Sequence, residues 1–248
     1  MVIAARWVGI DFGQCLCDGS PERTYWMIGD TCKQLGQPEF LDICCYRWRT
    51  LKEKYGTWAA IKEGHRDEIV SYVFQGHPEA AAVFSKMEQK YLKVAEGAAD
   101  ALKYLKDQGI EVSLVAELKR TLGPIGTDQV SLFLQNQRVI GLFVDLITPQ
   151  GRVHLRDGSL DARYKGLSKE TGTLYDLLVE DLRARGIQPA EAVMVGDKEW
   201  SDITPAQKRG LKAIQYTGFL NLAPSRADYV IRHFAELKKI ITGVKNEA

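Results

Sequence analysis

Trp7-Val8-Gly9-Ile10 is a short apolar run that ends on Asp11 and passes at once into Gly13 and small polar residues. A run that is apolar at every position suits a strand buried on both faces, as in a parallel sheet between two layers of helices. In open α/β sheets, chemistry gathers where such strands end. One carboxylate, Asp11, therefore stands at a strand tip, as a nucleophile, as a metal ligand, or simply as a polar residue closing a strand before a turn.

The same texture returns from Glu96 onward. A helix is expected over 98–108, stopped by Gly109, then a strand over 110–116. A turn-rich patch follows at 123–126, then a helix over 130–137 and a strand over 143–148 that ends at Pro149-Gln150-Gly151. Residues 152–165 are charged and irregular, with a hairpin expected around Asp157-Gly158. A helix over 173–185 closes at Gly186, and Ala192-Val193-Met194-Val195 reads as a strand running into Gly196-Asp197. Residues 203–209 are helical, 212–216 and 229–231 are strands, and a last helix starts at Phe234. Alternating strands and helices of this length predict a parallel sheet with right-handed crossovers.

Between the first strand and that region the chain offers no strand. Of four helix-like pieces, at 25–35, 40–55, 57–74 and 78–92, the first two end before Gly36 and Gly56, and the last opens with Pro78 at a first helical position. Trp26, Trp48, Trp58, Tyr46, Tyr55, Tyr72 and Phe74 supply their apolar faces. The predicted fold class is α/β, a parallel-sheet core of residues 1–18 and 96–248 with an all-helical cap subdomain inserted at 19–95. An insertion directly after a catalytic strand can serve as a lid.

Composition narrows the function. With 33 basic and 32 acidic side chains the net charge is +1, which argues against nucleic acid or an anionic membrane as the main partner. No apolar run reaches the roughly 20 residues that span a bilayer. Residues 1–6 are too short for a signal peptide before the first strand. The 5 cysteines (Cys15, Cys17, Cys32, Cys44 and Cys45) are odd in number and lack paired zinc spacing. Buried thiols in a cytoplasmic protein are expected. The partner expected is a small-molecule substrate, with the chain acting as a monomer or homodimer.

A second acidic tip lies at Gly196-Asp197, with Asp202 five residues on. Facing Asp11 across neighbouring strands, these carboxylates would form a hard-oxygen cluster suited to Mg²⁺. Asp202 also reads as a helix N-cap. Lys169, six residues before Tyr175, could neutralise charge at such a cluster or lie in solvent.

Taken together, these residues resemble the haloacid dehalogenase superfamily, the Rossmann-like hydrolases with a nucleophilic aspartate. The resemblance rests on the run ending at Asp11, the helical insertion after it, 98–116, Phe143-Val144-Asp145, Lys169 with Tyr175, Gly196-Asp197 with Asp202, and Arg226–Ile231 near the end. It implies a Rossmann-like core in which Asp11 is the nucleophile and a metal ligand. Asp197, Asp202 and the Gly13 carbonyl would complete a Mg²⁺ site, and Lys169 would balance the charge. The family's phosphatases carry a second Asp, the leaving-group acid, where this chain has Gly13, and a Thr where it has Cys15. The usual Ser or Thr of the second motif is Ala116, followed by Glu117. Loss of a general acid commonly costs about 10²–10⁴ in rate. The resemblance therefore implies a phosphorylated or phosphonate substrate whose leaving group needs little protonation, with Glu117, a cap residue or the substrate as proton source. Carbon-centred displacement of the dehalogenase kind and a catalytically silent binder are the alternatives. Cys15 and Ala116 would line the substrate site, and Arg47, Arg49, Lys62 and His65 of the cap would choose the substrate. The pair Lys62-x-x-His65 faintly echoes the Schiff-base cap of phosphonate hydrolases, although Lys62 also suits a solvated helix face.

Overall fold

The computed structural model describes residues 2–17, 21–55, 61, 65–118, 129–219 and 225–244. It divides into two compact units, one of Met1–Gly19 with Lys93–Ala248 and one of Ser20–Leu92. The expected turn-rich patch at 123–126, the start of the third helical piece with Trp58, and Lys62 lie outside the described residues.

The first unit is built on a mostly parallel sheet. Strand β1 is Ile3–Ala5 and strand β2 is Trp7–Ile10, followed by β3 (Glu111–Val115), β4 (Asp145–Thr148), β5 (Gly151–His154) and β6 (Leu160–Asp161). Strands β7 (Ala192–Gly196), β8 (Lys212–Tyr216), β9 (Tyr229–Ile231) and β10 (Ile241–Gly243) complete the set. Eight of them form one sheet in the order β6-β5-β4-β3-β2-β7-β8-β9. Strand β2 lies between β3 and β7, parallel to both, and every residue of β2 and β7 is buried. The two acidic strand ends are therefore neighbours, as the sequence predicts.

The apolar spacing explains the layers. Helix Thr173–Ala184 buries Leu174, Tyr175, Leu178, Val179 and Leu182, a stripe at helical period, against Trp7, Val115 and Met194. Full burial of each large apolar side chain contributes about 1.5–3 kcal/mol. Helix Ala98–Asp107 likewise buries Ala98, Ala101, Leu102 and Leu105. Trp7 is wholly buried and its indole N–H donates to the Ser113 hydroxyl (3.1 Å). A β-carbon at Gly9 would stand 2.5 Å from that indole, so the glycine makes room for the ring.

Three features differ from the sequence expectation. The sheet is not parallel throughout, because β4 and β5 pair antiparallel through a tight turn, whereas β5 and β6 form the hairpin expected around Asp157-Gly158. The β4–β5 turn closes over Pro149 and Gln150 onto Gly151, whose φ of 138° L side chains rarely adopt. The last helix is short, Phe234–Glu236 and Leu237–Ile240, and leads into β10. Strand β10 pairs in parallel with β1, forming a separate two-stranded sheet from segments too short for periodicity to reveal. The predicted helix at 203–209 is α-helical only over Thr204–Gln207, and the π-helix Glu199–Ile203 runs into it.

In the second unit, α-helices Pro21–Gln34, Leu41–Tyr55 and Ala80–Tyr91 surround a core of its own. A turn at Arg66–Glu68 continues as π-helix Ile69–Val73. Met27, Ile28, Trp48, Leu51, Val73, Phe74 and Phe84 fill the core. None of the five cysteines forms a disulfide; Cys15, Cys17, Cys32 and Cys44 are buried, while Cys45 is half-buried. No helix among the described residues is long and apolar enough to cross a membrane.

Candidate active site

The carboxyl ends of β2, β3 and β7 bring the predicted residues together within the first unit. Asp11 follows β2 directly, and its N–H donates to the Val195 carbonyl (2.8 Å), which extends the ladder by one step and fixes the aspartate at the tip. Asp197 directly follows Gly196, the last residue of β7. Asp202 reaches back from the π-helical turn, accepting from the Lys198 N–H (3.0 Å). Among the described residues, Asp11, Asp197 and Asp202 present carboxylate oxygens that lie within 4.8 Å of one another, and all three are buried. Helix Thr204–Gln207 has Ile203 at its N-cap and no side-chain cap, so the capping role expected of Asp202 is not what its side chain does. A β-carbon at Gly196 would stand 2.4 Å from the Asp202 carboxyl carbon. The Gly-Asp pair is thus a matter of space for Asp202.

Lys169 is 1% exposed rather than solvated. Its ammonium donates to Asp11 Oδ1 (2.5 Å), to Asp202 Oδ1 and to the Val115 carbonyl (3.2 Å). An ammonium has three donors, and all three are engaged. Burial alone would lower its pKa, but Asp11 and Asp202 outweigh that and hold it well above the ordinary lysine value. Lys169 is therefore a fixed cation. Tyr175, wholly buried, donates to the Ser201 carbonyl (2.9 Å) and so braces the turn that carries Asp202.

Burial pushes the Asp11 carboxyl up to about 6 against the pull of Lys169. Burial, and then the charge of Asp11, pushes Asp197 up to about 7. Both carboxylate oxygens of Asp197 are buried without a hydrogen-bond partner. An ionised carboxylate so placed is costly unless a cation meets it. Three clustered acids against one buried ammonium, one of them with both oxygens unused, fit a hard divalent cation.

Gly13 is exposed, and a β-carbon there would meet nothing within 4 Å. Cys15 is buried and its thiol is pushed up by burial and then by Asp11; the thiol donates to the Val195 carbonyl (3.8 Å). Ala116 is buried and its N–H donates to the Ile147 carbonyl (2.9 Å). Glu117 accepts from the Lys169 N–H through Oε2 (2.8 Å), and its Oε1 is buried without a partner. Arg47 and His65 belong to the second unit. There the Arg47 guanidinium lies over the Tyr72 ring (5.6 Å) and His65 stacks on Tyr55 (3.5 Å) while facing Glu68 (3.3 Å).

One residue of the site escaped the sequence reading. Gln215, buried in β8, donates to the Asp197 carbonyl (3.2 Å) and accepts from the Ser225 N–H (3.2 Å). Its signal was a lone amide in the apolar run 212–216, which a buried strand tolerates only when both ends of the amide are paired.

A family model described as haloacid dehalogenase-like hydrolase matches residues 33–210, well over half of the chain. Among solved structures, the chain is similar to a HAD-hydrolase, YfnB of Bacillus subtilis, bound to magnesium. The two share 17% identity over 95% of this chain and 98% of that one, with a TM-score of 0.60. It is also similar to L-2-haloacid dehalogenase from Xanthobacter autotrophicus (14% identity, 95% and 97% covered, TM-score 0.56). A HAD phosphatase from Thermococcus onnurineus is a third (20% identity, 95% and 96% covered, TM-score 0.51). Identities this low show the fold alone. No curated protein sequence is a significant match to this one.

Proposed function

Because the chain belongs to the haloacid dehalogenase-like hydrolases, we propose that it hydrolyses a phosphorylated or phosphonate small molecule, with Asp11 as covalent nucleophile and a Mg²⁺ requirement. The observation that carries this reading is Asp197, whose two buried oxygens have no partner beside Asp11 and Asp202. Asp11, Asp197 and Asp202, with the Gly13 carbonyl, would hold the ion. Bound there, it would offset the negative charge of the acids and of a phosphoryl group.

The chain's own residues do the rest. One oxygen of Asp11 is held by Lys169 (2.5 Å), which fixes the carboxylate and leaves its other oxygen for attack. That oxygen bonds to phosphorus as the bond to the leaving group breaks, and the leaving group departs with the electron pair. Water then cleaves the acyl phosphate, returning Asp11 and releasing phosphate. Lys169 stays charged throughout and offsets the negative charge that builds on Asp11 and on the transferred group. Gly13 brings no acid to the departing oxygen, which favours substrates with stable leaving groups, such as acyl phosphates, over simple alkyl phosphates.

Displacement at carbon with release of halide is the second reading, because halide leaves unprotonated and Gly13 would then cost nothing. The unsatisfied Asp197 weighs against it, since that chemistry makes no use of a cation. The deciding measurement is phosphate release, with and without Mg²⁺, from acetyl phosphate, phosphonoacetaldehyde and alkyl phosphates, and halide release from 2-haloacids. Metal-dependent phosphate release is expected, lost by at least about a thousandfold in Asp11→Asn. Retained turnover in that variant would remove Asp11 as nucleophile. Halide release that survives a chelator would favour the second reading, and no turnover with any substrate a silent binder.

A further inference from the structure

We infer that Glu117 is a positioning residue whose carboxylate sets Lys169, rather than the leaving-group acid that the site lacks. Lys169 is held at two points by the end of one strand. Its ammonium donates to the carbonyl of Val115, the last residue of β3, and its backbone N–H donates to the carboxylate of Glu117 two residues on (2.8 Å). The turn carrying Lys169 closes mainly on itself, through Gly172 N–H to the Lys169 carbonyl (3.1 Å) and Ser168 N–H to the Thr173 hydroxyl (3.0 Å). The Glu117 bond is what ties the backbone of Lys169 to the sheet. It is charge-assisted, and hence about twice as strong as a neutral one. The geometry has a consequence for Asp11 and Asp202, because the ammonium that touches both can stand no better defined than the backbone it extends from. It also accounts for a carboxylate beside an anion-binding site. One oxygen of Glu117, Oε2, is directed at an amide, where it anchors a cation.

The kinetic part of this inference rests on the hydrolase reading, but the structural part does not. The test compares full-length wild type, Glu117→Gln and Glu117→Ala. Glutamine keeps a carbonyl acceptor for the Lys169 amide but cannot supply a proton. Amide hydrogen exchange at Lys169, and acetylation of its side chain by acetic anhydride, are followed by peptide mass spectrometry. Phosphate release from acetyl phosphate with Mg²⁺ gives kcat, KM and the pH profile. In Glu117→Ala, exchange at Lys169 is expected to quicken about ten- to a hundredfold, the loss of one hydrogen bond to a charged group. The side chain becomes acetylated faster, and kcat falls about tenfold or more with KM little changed. Glu117→Gln recovers most of each loss and keeps the shape of the pH profile. Unchanged exchange in Glu117→Ala would overturn the inference, as would quickened exchange with undiminished kcat. So would a Glu117→Gln enzyme as slow as Glu117→Ala with one limb of its pH profile gone, which is the behaviour of a proton donor. If the wild type releases no phosphate, the hydrolase reading is what has failed, and exchange and acetylation at Lys169 decide the structural claim alone.

Discussion

Asp197 is a buried acid whose two carboxylate oxygens have no hydrogen-bond partner. Its carboxyl is raised by burial, and next by the charge of Asp11, to about 7, and Asp11 is itself raised by burial to about 6. Groups raised in the folded state hold more protons there than in the unfolded chain between about pH 4 and pH 7. The contribution of this pair to metal-free stability is therefore greatest in acid and declines as pH rises through that window. A cation must displace the same protons, so its binding strengthens over the same range and levels off above it. Thermal melts should show a Mg²⁺-induced rise in Tm that is small at pH 5.5 and full at pH 8. Asp197→Asn should abolish most of that rise and raise the metal-free Tm at pH 8. A Mg²⁺ effect independent of pH would separate the ion from these acids. At this scale the sequence was legible where a residue's role follows from its place on a strand. Asp11 and Asp197 each end an apolar run, and the run predicts the tip. Lys169 and Gln215 were harder, because burial of a lysine by two acids 158 and 33 residues away, or of an amide by a loop, leaves no local pattern.

An element can constrain the site as firmly as a catalytic side chain does. Strand β7 ends on Gly196, and the Asp202 carboxyl lies where a β-carbon would be. In Gly196→Ala, either the strand end or the Asp202 turn must shift. Overpacking of this kind costs about 1–3 kcal/mol, or roughly 2–10 °C in Tm for a chain of this size. The expected signature is that cost together with a weakened Mg²⁺ response, measured by melting with and without the ion. A full Mg²⁺ response in Gly196→Ala would mean that the turn relaxes without moving Asp202. Long elements with a clean period, such as Ala98–Asp107 and Thr173–Ala184, stood out in the sequence because five or so side chains vote for one face. The failures were short or locally overridden. The β4–β5 hairpin turns within two residues, β1 and β10 have three residues each, and the Glu199–Ile203 turn is wound as a π-helix, a form often found at functional sites.

Among the described residues, the candidate cation cluster draws on one unit. Asp11, Lys169, Asp197 and Asp202 all come from Met1–Gly19 and Lys93–Ala248, whereas Ser20–Leu92 has a separate core. The strand-tip arrangement follows from the order β3-β2-β7, in which residues far apart in the chain meet where parallel strands end; sequence alternation predicts the parallel sheet, and the structure supplies the order. What alternation could not foretell was whether the inserted helices add any ligand to the ion, because a helical face says nothing about groups elsewhere. The two cores make this testable without touching the site. Leu51 is 2% exposed in the core of the second unit. Leu51→Ala removes buried contacts worth about 2–5 kcal/mol. If the site is complete in the first unit, calorimetric titration at a temperature where the variant remains folded should give a Mg²⁺ affinity within about twofold of wild type, a difference below half a kcal/mol. Substitutions that share no partners usually act independently. A tenfold loss of Mg²⁺ affinity in Leu51→Ala, with circular dichroism unchanged, would instead mean that the ion depends on the second unit, and that the four residues at the strand tips are only part of its site.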